Sequence, residues 1–181
     1  VSSTNKTESG ILFSGVQIPK GAKIVSANLR LTPNDQYKSN SKASKNQVAD
    51  VRIYGFSSPD VDFCPSTGCI SATTAKGLAL TSAASSVVWK TPGLTKDDSE
   101  TINVTNIVKE IVEPATWASG KTIGFKLYNN TDTPKPAAIY SFNGNSSKAP
   151  RLEVQWTSTD EINNLSTLET VREQIVAVVN G

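Results

Sequence analysis

Apolar and polar residues alternate along much of this chain, and turn formers (Gly, Pro, Asn, Asp, Ser) interrupt the alternation at short intervals. The clearest run is 22–32, where Ile24, Ser26, Asn28 and Arg30 alternate with Val25, Ala27, Leu29 and Leu31. A period of two sends successive side chains to opposite faces, so this stretch predicts a half-buried strand. Pro19-Lys20-Gly21 separates it from an earlier strand-like run, 11–18. The same reading predicts strands over 48–56, with Val51, Ile53 and Gly55 on one face, and over 86–90, 100–104, 121–129, 137–142 and 151–156. About eight short strands at this spacing predict an all-β fold, a jelly-roll-like β-sandwich.

Two stretches carry a helical period instead. Ile107, Val108, Ile111 and Val112 are spaced for one buried face, with Thr105 as the expected N-cap and Pro114 as the stop. In the tail, 160–181, Leu168, Val171, Ile175 and Val178 fall at alternating spacings of three and four, which predicts a C-terminal α-helix with a coiled-coil seam. So short a helix is marginal alone in water. It packs either on its own domain or on copies of itself, and the abrupt end of the pattern favours self-association, a trimer or another symmetric assembly. The chain thus divides into a flexible lead (1–9), a β-sandwich domain (10–158) and a helical oligomerisation or stalk segment (159–181).

Composition narrows the functional classes. With 181 residues the chain can bury a full core, while a formal net charge of +2 gives no bulk signal for nucleic acid. Lys38, Lys42 and Lys45 alternate with Ser, Asn and Ala and read as a solvated loop without aromatics to stack bases. The absence of Met implies that Val1 is a processed or trimmed terminus, with any signal peptide already removed. No apolar run approaches the ~20 residues of a membrane span, so no membrane insertion is expected. Cys64 and Cys69 enclose Pro65-Ser66-Thr67-Gly68, a turn that brings two Cβ atoms toward bonding range. The reading is a local disulfide formed in an oxidising compartment, with two free thiols as the alternative.

The chemistry available is sparse. The chain has no His, which removes the commonest general base and metal ligand together. No Gly-x-Ser-x-Gly elbow or phosphate-cradling glycine loop is present. Asp97, Asp98 and Glu100 sit beside Lys96 and read as solvated loop acids. Asp60 and Asp62, alternate carboxylates in a long irregular excursion (57–74), are the candidate ligands for a calcium ion, the one cofactor the sequence suggests. Ordinary loop acids are the simpler reading. Trp89, Trp117 and Trp156 have apolar neighbours and read as core or half-buried residues. Tyr37, in a polar loop, and Tyr128, before Asn129-Asn130, are the better candidates for ligand contact. Asn-x-Ser/Thr sequons occur at Asn5, Asn103, Asn129, Asn145 and Asn164 and matter only in a glycosylating host.

Three stretches resemble a known group when taken together: 18–27 (Ile-Pro-Lys-Gly-Ala-Lys-Ile-Val-Ser-Ala) followed by Leu29; 107–112 (Ile-Val-Lys-Glu-Ile-Val) with Trp117-Ala118-Ser119-Gly120; and Tyr140-Ser141-Phe142 through 147–152 (Ser-Lys-Ala-Pro-Arg-Leu). Their order resembles DNRLRE-type β-sandwich domains of bacterial secreted and surface proteins, a group related to an alginate-associated carbohydrate-binding family. The resemblance spans about residues 10–156. The naming motif itself is missing, and the Cys64–Cys69 loop is an addition. The resemblance implies an exported jelly-roll module without catalysis of its own. The tail, 165–181, separately resembles helical connectors of bacteriophage structural proteins. Two functions follow as expectations. One is a non-catalytic display module of a cell-surface or virion appendage, carried on an oligomeric helical stalk. The other is an extracellular carbohydrate-binding module whose partner is a polysaccharide.

Overall fold

The computed structural model describes residues 8–34, 49–59, 61, 78–91, 97–129, 139–158 and 174–180; for 49, 91, 129 and 174–180 it describes the backbone alone. The architecture is a sandwich of two antiparallel sheets, one of four strands and one of three, with one short helix. Strands β1 (Glu8–Val16), β2 (Lys23–Leu31), β3 (Ala49–Gly55), β4 (Val87–Thr91) and β5 (Glu100–Asn103) precede helix α1 (Thr105–Val112). Strands β6 (Lys121–Asn129) and β7 (Arg151–Thr157) follow it. The first sheet runs β1-β6-β3-β4 and the second runs β5-β2-β7.

Register follows from the apolar alternation. On the first sheet Ile11 faces Phe125, Phe13 faces Ile123, and Ile53 lies between Leu127 and Val87, all pointing inward. On the second, Leu29 lies between Ile102 and Leu152, and Ala27 faces Val154. A one-residue slip would turn each of these faces out to water, so the buried set fixes the pairing. The two inner faces meet in one continuous core that also takes in Trp89, Trp117 and Trp156. Phe13 and Phe125 pack edge to face within it, centroids 6.1 Å apart.

Helix α1 carries the chain from the second sheet to the first and closes one side of the sandwich with Ile107, Val108, Ile111 and Val112, all buried. Its start differs from expectation. Thr105 is the first helical residue and not the N-cap; Val104 holds that position without a side-chain cap. The Thr105 hydroxyl instead accepts the Ala27 amide at 2.9 Å, while the Asn103 carboxamide oxygen accepts the Thr105 amide at 3.0 Å. Asn103 therefore does the local work of a cap one residue early, and Thr105 ties the helix to β2. Farther along, Trp117 donates its indole N–H to the buried Ile18 carbonyl at 2.9 Å.

One other expectation changes. Within 137–142 the described residues form an isolated bridge, Ile139 with Pro33, and then a turn. The Ser, Asn and Gly of 141–145 favour the turn over a strand. Of the seam expected in the C-terminal helix, Leu168 and Val171 lie outside the described residues, and at Ile175 and Val178 only the backbone is described. No helix among the described residues is long and apolar enough to cross a membrane.

Candidate ligand-binding face

The outward positions of β3 and β6 are set by the same alternation that buries Val51, Ile53, Phe125 and Leu127. Arg52 and Tyr54 on β3 must point away from the core, as must Lys126 and Tyr128 on β6. Arg52 pairs with Tyr128 and Tyr54 with Lys126, which makes the two tyrosines diagonal neighbours on one face. Their rings stack with centroids 5.7 Å apart and planes 15° from parallel. Both are half-buried, so the pair is held by its surroundings yet keeps part of its surface open.

The rim of this platform is polar and charged. Arg52 donates to the Ser86 hydroxyl at 3.0 Å. Lys126, nearly buried, pairs with Glu8 at 3.1 Å across the β1–β6 ladder. Burial, then the hydrogen bond with Tyr54 and the charge that Tyr54 would carry, push the Tyr128 phenol up to about 12. Hydrogen bonding with Tyr128, aided by Ser86 and by the Arg52 charge, holds the Tyr54 phenol below its ordinary value of 10.0 against the opposing effect of burial. The two hydroxyls therefore act as one unit: Tyr54 ionises first, and Tyr128 keeps its proton through the neutral range.

Part of this face is covered. Phe56 and Val61, with Leu12, Leu78 and Leu80, form a second small apolar cluster over Gly124. The fit over Gly124 is close: a Cβ there would lie 2.6 Å from Leu12 Cδ2 and 2.8 Å from Phe56 Cδ2. Gly124 is four residues from Tyr128, about 13 Å along the strand. One end of the outer face is thus sealed and the other end presents the tyrosines.

Of the residues the sequence singled out, Tyr128 belongs to this platform. Tyr37, Asp60, Asp62, Cys64 and Cys69 lie outside the described residues. Trp89, Trp117 and Trp156 are all core residues. Among the described residues no group of three or more His, Cys, Asp or Glu side chains is placed to hold a metal ion. Tyr54 was missed. Its outward direction follows from the burial assigned to Val51, Ile53 and Gly55, but its meeting with Tyr128 depends on a pairing between distant strands. What this arrangement offers chemically is a flat, polarisable surface with hydroxyl and guanidinium donors at its edge. That combination suits stacking against a ring whose periphery carries hydroxyls.

A scan of the chain against protein-family models finds no match, and no curated protein sequence is significantly similar to it.

Proposed function

We propose that this chain is a non-catalytic, exported β-sandwich module of the jelly-roll-like kind, which binds an extracellular or cell-surface polysaccharide through the Tyr54–Tyr128 platform. The observation that carries the reading is the pair itself: two stacked, half-buried rings held on a rigid sheet, with Arg52 and Ser86 at their edge. Sugar rings present C–H faces and equatorial hydroxyls, which such a surface meets by stacking and hydrogen bonding together. The resemblance to DNRLRE-type domains points to the same class of partner. A display module of a cell-surface or virion appendage is the second reading, favoured by the three-and-four spacing of Leu168, Val171, Ile175 and Val178.

Affinity electrophoresis through gels containing neutral and acidic polysaccharides, followed by a glycan array, tests the proposal. The expected result is retardation on at least one polymer. Tyr54→Ala and Tyr128→Ala should each weaken binding about 10-fold or more, as expected when an aromatic contact is truncated. A folded protein that no polysaccharide retards would overturn the reading, as would one whose binding survives both substitutions. Turnover of a bound polymer would overturn the non-catalytic part.

A further inference from the structure

The second sheet carries an unrelated feature on its own outer face. Arg30 on β2 and Arg151 on β7 stand directly opposite each other in the antiparallel ladder. Like charges in that relation destabilise a sheet pair, so the arrangement calls for something to offset it. Among the described residues little offsets it. Arg30 Nη1 reaches the Glu153 carboxylate only at 3.5 Å, and Arg151 donates to the Ser147 carbonyl at 3.2 Å. Among the described residues Arg151 meets no carboxylate. Asp97 is already occupied: it accepts from Lys148 at 2.8 Å and from the Tyr140 hydroxyl at 2.9 Å.

Both arginines line a small open cavity of about 80 Å³, together with Thr32, Ser99, Ser147 and Ala149. A water molecule needs about 10–15 Å³ measured in this way, so there is room for a group of several heavy atoms. Thr32 Oγ1 and Ser99 Oγ are 3.0 Å apart. One of their two hydroxyl protons serves that contact, which leaves the other for a guest. The opposite wall is fixed by Asn145, whose carboxamide oxygen accepts both the Ser147 amide and the Ser147 hydroxyl. Lys148 then ties this turn across to Asp97.

We infer that this cavity binds a tetrahedral oxyanion, a phosphate or sulfate group, between Arg30 and Arg151. Guanidinium forks match the oxygens of such groups, and a dianion would neutralise the opposed pair. The Thr32–Ser99 hydroxyls supply a further donor. Glu153 competes for Arg30 only through a long contact of 3.5 Å. The inference is independent of the tyrosine platform, which lies on the other sheet.

The probes are inorganic sulfate, inorganic phosphate and glucose 6-phosphate, each titrated at constant ionic strength with chloride as the balancing anion. Binding is read by calorimetry and by amide shifts of isotope-labelled protein. Saturable binding is expected, with shifts centred on residues 30, 99, 147 and 151. Arg30→Gln and Arg151→Gln should each weaken it about tenfold or more, whereas Lys20→Gln, an exposed cation elsewhere, should leave it unchanged. Without added oxyanion the Arg151→Gln protein should melt no lower than the parent, because the like-charge pair is gone. A variant damaged in its fold would melt lower. Tighter binding of glucose 6-phosphate than of inorganic phosphate would assign the group to a saccharide, and equal binding would assign it to the free ion; both support the site. Absence of saturable binding by all three probes, or binding unaffected by Arg151→Gln, would overturn the inference.

Discussion

Gly55 lies on β3 directly beneath helix α1, and replacing it with alanine tests how the helix is seated. A Cβ built on Gly55 falls 2.6 Å from Ile107 Cγ2, 2.7 Å from Ile111 Cδ1 and 3.0 Å from Thr81 Cγ2. Carbon atoms prefer about 3.5–4.0 Å, so the helix must lift by a fraction of an ångström or more. Ile107 Cγ2 is the constraint that matters most, since it sits on a branched Cβ and cannot rotate away cheaply. Overpacking of this kind costs about 1–3 kcal/mol. Removing a glycine from the unfolded chain returns about 0.4–1 kcal/mol. The net expectation for Gly55→Ala is a loss of about 1–2 kcal/mol, or roughly 2–8 °C in Tm for a domain of this size. Urea unfolding followed by tryptophan fluorescence is a suitable assay, because Trp89, Trp117 and Trp156 are all buried. Ile111→Val removes the Cδ1 atom that crowds the new methyl and on its own should cost about 0.5–1.5 kcal/mol. Combined with Gly55→Ala it should cost less than the sum, with a coupling of about 0.5 kcal/mol or more. A Gly55→Ala protein as stable as its parent, or strictly additive behaviour of the pair, would refute this packing.

Three further outcomes are expected. Glu110 on α1 accepts hydrogen bonds from the Ser82 amide, the Ser82 hydroxyl and the Ser85 hydroxyl; these outweigh the opposing effect of burial and hold its carboxyl below the ordinary 4.5. A depressed carboxyl stabilises the fold above its unfolded value and loses that contribution as pH falls through the folded value. The gap between wild type and Glu110→Gln, about 1 kcal/mol after solvent screening, should therefore be full at pH 7 and shrink in denaturation curves as pH falls below 4.5. Trp117→Phe leaves the Ile18 carbonyl buried without its donor and should cost about 1–3 kcal/mol by circular dichroism melts, with a larger loss if a cavity remains. Ultraviolet titration at the phenolate band should show one tyrosine ionising near pH 12, and Tyr54→Phe should lower that value while burial keeps it above 10. Since the raised phenol favours the fold while protonated, its contribution is present below pH 10 and is lost as pH rises through about 12.

Much of this fold could be read from alternation alone, since a strand that buries one face must alternate. The run 121–129 was placed at both ends, and 22–32 and 151–156 nearly so. The helix over 107–112 was visible because four apolar residues recur at its period. Its cap was not, because the deciding contacts join Thr105 to Ala27, a residue distant in sequence. Tyr128 was legible from the polar Asn129-Asn130 that follow it. Its stacking partner was not, because pairing between β3 and β6 is a property of the assembled sheet. The Arg30–Arg151 opposition was hidden in the same way: each arginine alone is an ordinary outward residue of a strand.

The platform and the arginine cavity belong to different sheets, and so they look out from opposite sides of the molecule with the core between them. Packed sheets lie about 10 Å apart, which keeps a guest on one side clear of a guest on the other. Neither can exclude the other, and neither needs the other to be present. A module with two such independent faces is able to join two things together, where one with a single groove could only end a chain of contacts. Fixed at one side, it still offers the other to a second partner, and the rigidity of the sandwich sets the distance between them.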